Sequence, residues 1–152
     1  MSNISFIGCG KLGLACAEVI AEKHSVKGYD VVNFTSKYVQ SCVTIADAIA
    51  DAEIIFVAVP TPHAPAYDGR DITSHLPPRD FDYSIVETVL TEIAELASAT
   101  QLIVLISTVL PGTTRRRFLP ILKDKKFIIN PYLIAMGTVK WDMINPEMVM
   151  IG

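Results

Sequence analysis

Short apolar runs alternate with helical patterns along the whole chain. Ile4–Ile7 is an apolar run that ends in glycine. Leu12, Ala15, Cys16, Val19 and Ile20 then recur at the spacing of one helix face. Ser25–Tyr29 is a second strand candidate, and Thr44–Ala52 reads as a short alanine-rich helix. Glu53–Val59 is the clearest strand, with Ile54, Ile55, Phe56 and Val57 in succession. Ile85, Val86, Val89, Leu90, Ile93, Leu96 and Ala97 trace another helical face. Its start is marked by Ser84-x-x-Glu87 as a capping box, with Asp82 as the competing cap. Leu102–Ile106 is a buried strand, Pro111-Gly112 opens a helix running to Leu122, and Phe127–Ile129 and Met148–Ile151 are short strands.

Strand and helix in alternation predict crossover connections and a doubly wound, mostly parallel α/β sheet. Six strands in the order 3-2-1-4-5-6 are the expected arrangement. Residues 60–81 hold five of the nine prolines and no apolar period, which predicts a long loop. Loops of that length inside a domain are usually functional.

Composition narrows the class. The 152 residues predict a single domain with a sizeable core. Hydrophobic residues at 51% against 19% charged exclude disorder. The longest apolar run, Ile54–Val59, is far short of the ~20 residues that cross a bilayer. No basic stretch precedes an apolar run at the N-terminus, so no secretory signal is expected. A net charge of −3 argues against a broad basic face for nucleic acid. Cys9, Cys16 and Cys42 have neither disulfide nor zinc spacing and read as reduced thiols of a cytoplasmic protein.

Gly8-Cys9-Gly10-Lys11-Leu12-Gly13 is a Gly-x-Gly-x-x-Gly string between a predicted strand and a predicted helix. Asp30 follows 22 residues beyond Gly8, at the end of the next strand, where a ribose-binding acid belongs. Gly8 permits the tight turn, Gly10 admits a pyrophosphate, and Gly13 lets helix pack on strand. The pyrophosphate would meet the N–H groups and positive end of the helix, at Lys11 and Leu12. Asp30 accepts from ribose hydroxyls and repels a 2′-phosphate. Residues 31–34 offer no cation for that phosphate, so the expected cofactor is NAD rather than NADP. The fold class is therefore Rossmann-type.

With this fingerprint in place, further segments resemble the UDP-glucose/GDP-mannose dehydrogenase family. They are Gly28-Tyr29-Asp30-Val31, Val59-Pro60-Thr61-Pro62, Asp82-Tyr83-Ser84 and Ser107-Thr108-Val109-Leu110-Pro111-Gly112-Thr113-Thr114. Asn130-Pro131, Gly137-Thr138, Asp142, Asn145-Pro146 and Val149 to Gly152 continue in the same order. The resemblance implies an N-terminal NAD-binding domain of an enzyme that oxidises a sugar-nucleotide alcohol to an acid through an aldehyde and a cysteine thioester. It implies that Thr61 contacts NAD, and that Thr108 contacts the nicotinamide side and orders the hydrolytic water. It implies that Asn130–Ile134 touches substrate, a UDP- or GDP-sugar, through Tyr132 and Leu133.

Departures from the family pattern bear on chemistry. Tyr132 replaces a glutamate assigned to water activation, and a phenol with pKa about 10 is a poor base near neutral pH. Met136 and Met148 replace a glutamate and an arginine. Thr35 stands where a cation is usual, with Lys37 as the substitute two residues on. The family's nucleophilic cysteine, its lysine, its central helix and its C-terminal sugar-nucleotide domain match nothing before Gly152. Two explanations stay open: half of an enzyme completed elsewhere, or a stand-alone nucleotide-binding module without catalysis. A β-hydroxyacid dehydrogenase half opens on a similar fingerprint, but the segments at Val59 and Ser107 argue against it.

His63, Asp68, Asp71, His75 and Asp80 in the long loop match no metal spacing and are expected to be a solvated lid. His24 is expected to complement a helix end, and Arg115-Arg116-Arg117 to be a solvated face. Trp141 with Met136, Met143, Met148 and Met150 makes an apolar stretch expected to meet a further domain or a second copy.

Overall fold

In a computed structural model, which describes every residue except Leu133 and Met136, six strands form one sheet. They are β1 (Asn3–Ile7), β2 (Ser25–Tyr29), β3 (Gln40–Ser41), β4 (Ile54–Val57), β5 (Leu102–Leu105) and β6 (Lys126–Ile129). The order is β3-β2-β1-β4-β5-β6, and every pairing is parallel. Helices α1 (Lys11–Ala21), α2 (Ile45–Ile49), α3 (Ser84–Leu96), α4 (Leu119–Leu122) and α5 (Val139–Ile144) connect or follow the strands.

Alternation along the strands feeds two apolar layers. Ile55 and Val57 of β4 join Ile7, Ile103 and Leu105 against α2, α3 and α4. Ile4 and Phe6 of β1 and Phe56 of β4 face the other way, with Cys16 and Ala17 of α1 and Val139 of α5. Phe6 and Phe56 stack there at 4.8 Å between ring centroids. Both faces are covered, which is why β4 reads as an unbroken apolar run, while β1 is apolar from Ile4 to Ile7 apart from the buried Ser5. The expected doubly wound Rossmann-type sheet is the observed one.

Two of its six members differ from expectation. Met148–Ile151 is not a strand: its side chains are 40–68% exposed, and only Gly152 exchanges backbone hydrogen bonds with Ile129. An apolar run becomes a central strand only where layers cover it, and none covers this one. The sixth strand is instead the two-residue β3, polar and exposed at the sheet edge, which has no hydrophobic signature. The Ile54 strand, third in the sequence-based count and so assigned beside β2, is fourth and lies centrally between β1 and β5.

Helix boundaries also differ in detail. The helix after Pro111 begins with a π turn, Thr114–Phe118, before α4. The Ser84–Glu87 capping box does not form. Asp82 Oδ1 accepts from the Ser84 N–H at 2.9 Å, and Glu87 pairs instead with Arg117 at 2.6 and 2.9 Å. α5 has no strong apolar period; Thr138 Oγ1 donates to Asp142 Oδ2 at 2.7 Å across its first turn.

Candidate functional site

The sheet order reverses between β1 and β4, and the C-terminal ends of these strands diverge there. In open α/β sheets that crevice is where ligands sit. A cleft of about 770 Å³ occupies it. Gly8, Gly10, Lys11, Leu12, Gly13, Asp30, Thr61, Thr108 and Tyr132 all line it. Leu133 lies outside the described residues.

The glycine turn builds one wall. Gly8 has φ +98°, and a Cβ there would come 2.5 Å from the Ala58 carbonyl oxygen. A Cβ on Gly13 would lie 1.8 Å from the Gly8 carbonyl oxygen, so helix and strand approach to a distance only glycine allows. Gly10 is the opposite case: nothing lies within 4 Å of the position a Cβ would take. Its backbone faces open space at the start of α1, whose first turn no side chain caps. The N–H groups and positive helix end there suit an anion.

Asp30 closes the turn's far side. One carboxylate oxygen accepts from the Val32 N–H at 2.9 Å, which fixes the side chain beside the cleft. Val31 and Val32, 88% and 70% exposed, continue this wall with Asn33 and Phe34.

The opposite rim is assembled from remote segments. Val59, Pro60 and Thr61 follow β4, and Ser107 and Thr108 follow β5. Ser107 Oγ donates to the Val59 carbonyl at 2.6 Å and ties the two together. Thr108 beside it is exposed, while Ser107 is buried. Tyr132, after β6, packs on the α1 layer and is half-buried. Burial pushes its phenol well above the ordinary value, with the Cys16 thiol nearby as a lesser cause. Tyr132 is thus protonated at neutral pH, which suits it to donate a hydrogen bond to a ligand and not to act as a general base. Its ring also borders a smaller cavity of about 200 Å³ toward Asp142, Met143 and Val149.

Of the three cysteines, Cys9 and Cys16 are buried and Cys42 partly so. Cys9 also borders the cleft. Burial pushes its thiol up to about 12, with Asp30 and Cys42 adding to the shift. Burial likewise raises Cys16 to about 12. Neither is the thiolate that nucleophilic chemistry needs.

Loop 60–81 folds back on itself beside the rim. Tyr67 donates its hydroxyl to the Pro77 carbonyl at 2.5 Å, and the Asp82 N–H bonds the Pro62 carbonyl at 2.8 Å. Among the described residues no three His, Cys, Asp or Glu side chains gather as metal ligands. Asp80 instead accepts from Tyr83, and Asp68 pairs with Arg70. His24 Nδ1 accepts from the Ser2 N–H at 3.2 Å, a role in joining β1's start to the helix end rather than in complementing a dipole. Of the three arginines, Arg117 is engaged with Glu87 and lies over the Tyr83 ring at 5.2 Å. Among the described residues no helix is long and apolar enough to cross a membrane.

The model of the UDP-glucose/GDP-mannose dehydrogenase family, NAD binding domain, matches residues 32–152. The chain belongs to that family. The family match begins just beyond Asp30, so the glycine turn is supported independently, by its own geometry. UDP-glucose 6-dehydrogenase from Drosophila melanogaster is 30% identical, with 71% of this chain covered and 22% of the relative. GDP-mannose dehydrogenase from Pseudomonas aeruginosa superposes with a TM-score of 0.80 at 24% identity, covering 98% of this chain and 40% of that one. UDP-glucose dehydrogenase from Pyrobaculum islandicum gives 0.76 at 24% identity, covering 100% and 40%. The chain thus spans less than half the length of these relatives. As an NAD-binding domain of the dehydrogenase family, it has a cleft whose open Gly10 and acidic Asp30 fit a dinucleotide.

Proposed function

We propose that the chain holds NAD, in preference to NADP, as the cofactor-binding part of a nucleotide-sugar dehydrogenase of the UDP-glucose type. The observation that carries this reading is the unequal packing of three glycines. Gly8 and Gly13 have no room for a Cβ, whereas Gly10 alone faces open space at the uncapped start of α1. Gly8, Gly10, Lys11, Leu12 and Gly13 would cradle the pyrophosphate on backbone N–H groups. Asp30 would accept from the adenosine ribose, and Thr61 and Thr108 would flank the nicotinamide end. Bound there, NAD supplies a hydride acceptor. The chain's own residues bind, orient and shield that end.

A UDP- or GDP-sugar would approach from the Thr108 side and meet Tyr132 and Leu133. Residues 1–152 act as one NAD-binding domain in this reading. The nucleophile and lysine come from another segment or another chain, because the buried Cys9 and Cys16 thiols are held protonated. A second copy of the chain carries the same thiols, so a homodimer would be a separate association and not the source of the nucleophile. Tyr132 at a position where a base is needed favours a second reading, a nucleotide-binding module without catalysis. Three unpaired thiols support a reducing, cytoplasmic setting.

Thermal melting with NAD, NADP and UDP- and GDP-sugars tests the proposal. A ligand that binds only the folded state at 100 times its Kd stabilises by about 2.7 kcal/mol. NAD should raise Tm more than NADP at equal concentration, and Asp30→Ala should narrow the gap. A larger shift with NADP in the unaltered chain removes the assignment. Absorbance at the NADH band should stay flat with UDP-glucose at micromolar protein; robust turnover would show that this chain carries the full chemistry.

A further inference from the structure

We propose that Tyr83 is the positioning residue of the Thr108 rim, through a latch between the start of α3 and the segment after β5. The inference rests on the cofactor reading above. Residues 107–110 belong to no helix or strand, so their course is set by what grips their two ends. At one end Ser107 Oγ is fastened to the Val59 carbonyl at 2.6 Å. At the other, the Leu110 N–H donates to the Tyr83 hydroxyl oxygen at 3.0 Å. Thr108 stands between these two anchors, exposed on the cleft.

The hydroxyl that holds Leu110 is itself fixed. Tyr83 is fully buried, and its hydroxyl donates to Asp80 Oδ1 at 2.6 Å. With the proton committed to Asp80, the oxygen is free to accept from Leu110. The ring cannot shift to loosen the bond. Phe118 meets it edge-on at 5.8 Å, Phe81 at 6.3 Å, and the Arg117 guanidinium covers it at 5.2 Å. Arg117 in turn is clamped through two bonds to Glu87. A phenylalanine would fill the same core space. Only the hydroxyl reaches across to the rim, so the polar atom at this buried site serves the 107–110 segment rather than the packing.

The consequence is selective. The latch acts on the end of the cleft where Thr108 sits, not on the glycine turn or Asp30. Tyr83→Phe should therefore weaken NAD by about fivefold, the worth of one net hydrogen bond. It should leave ADP-ribose, which lacks the nicotinamide, within about twofold on the same scale. Amide exchange over residues 107–110 should become faster. Asp80→Ala, at an exposed position outside the core, should move all three readouts in the same direction and by less. Equal losses for both ligands, unchanged NAD affinity or unchanged exchange would each overturn the proposal. If the unaltered chain binds neither ligand, the cofactor reading falls, and exchange at 107–110 still decides whether the latch exists.

Discussion

The two walls of the cleft are built by different means. The glycine-turn wall is local: Gly8 to Gly13, with Asp30 one strand away, and its shape follows from backbone packed on backbone. Gly13 abuts the Gly8 carbonyl, and the Gly8 N–H bonds the Tyr29 carbonyl at 2.9 Å. The opposite wall gathers Thr61, Thr108 and Tyr132 from segments after three different strands. It is fastened by single side-chain bonds, Ser107 to Val59 and Leu110 to Tyr83. At Gly8 and Gly13 the local wall has no slack, so a small change at either acts on the whole fold. The assembled wall can be loosened one bond at a time, which makes it the part where affinity and specificity are adjusted with little effect on stability.

Gly13→Val should have the largest effect. Even the first carbon of the new side chain overlaps a backbone oxygen that cannot move alone. We expect a loss of more than about 4 kcal/mol, a large share of the total stability of a domain this size. Urea unfolding by circular dichroism reads it directly; a midpoint like that of the unaltered chain would refute the tight-wall account. Gly10→Val should separate function from fold. Its Cβ has open space, so Tm without ligand should hardly change, while NAD affinity should fall by about 100-fold or more, roughly 3 kcal/mol. Calorimetric titration showing intact NAD binding would remove Gly10 from the pyrophosphate site.

The smallest effect belongs to Asp82, which caps α3 at the base of the assembled wall. Asp82→Ala should lower Tm by about 2 °C, through loss of a helix cap. The Ser84 N–H holds this carboxyl below its ordinary value of 3.8. A depressed carboxyl stabilises fully above its unfolded value and loses that contribution as pH falls through the folded one. The gap in Tm between Asp82→Ala and the unaltered chain should therefore hold from neutral pH to about pH 5 and close below about pH 4. A gap that persists undiminished at pH 3 would assign the effect to something other than the carboxylate.

Much of this molecule is present in its one-dimensional pattern, for reasons particular elements make plain. β4 and β5 are covered on both faces and are wholly apolar runs, and such runs are visible without coordinates. The Gly-x-Gly-x-x-Gly string and Asp30 are equally visible, because a turn made of backbone contacts constrains residue type at fixed spacing. Thr61 and Thr108 emerged from family resemblance rather than periodicity, since a rim residue at a strand's end has no pattern of its own.

What the pattern did not contain is whatever depends on a distant neighbour. Met148–Ile151 has the composition of a strand, yet no layer packs over it, and so it is none. Gln40–Ser41 has no strand signal at all and joins the sheet because β2 offers an unpaired edge. Ser84-x-x-Glu87 spells a capping box, but Arg117, thirty residues on, draws Glu87 away and leaves the cap to Asp82. Tyr83 reads in sequence as one more aromatic beside a helix; only tertiary packing aims its hydroxyl at Leu110. Local constraint and burial are written along the chain residue by residue and can be read from it. Cover, pairing and competition for a partner are properties of two segments at once, and they take shape only when the folded chain brings those segments together.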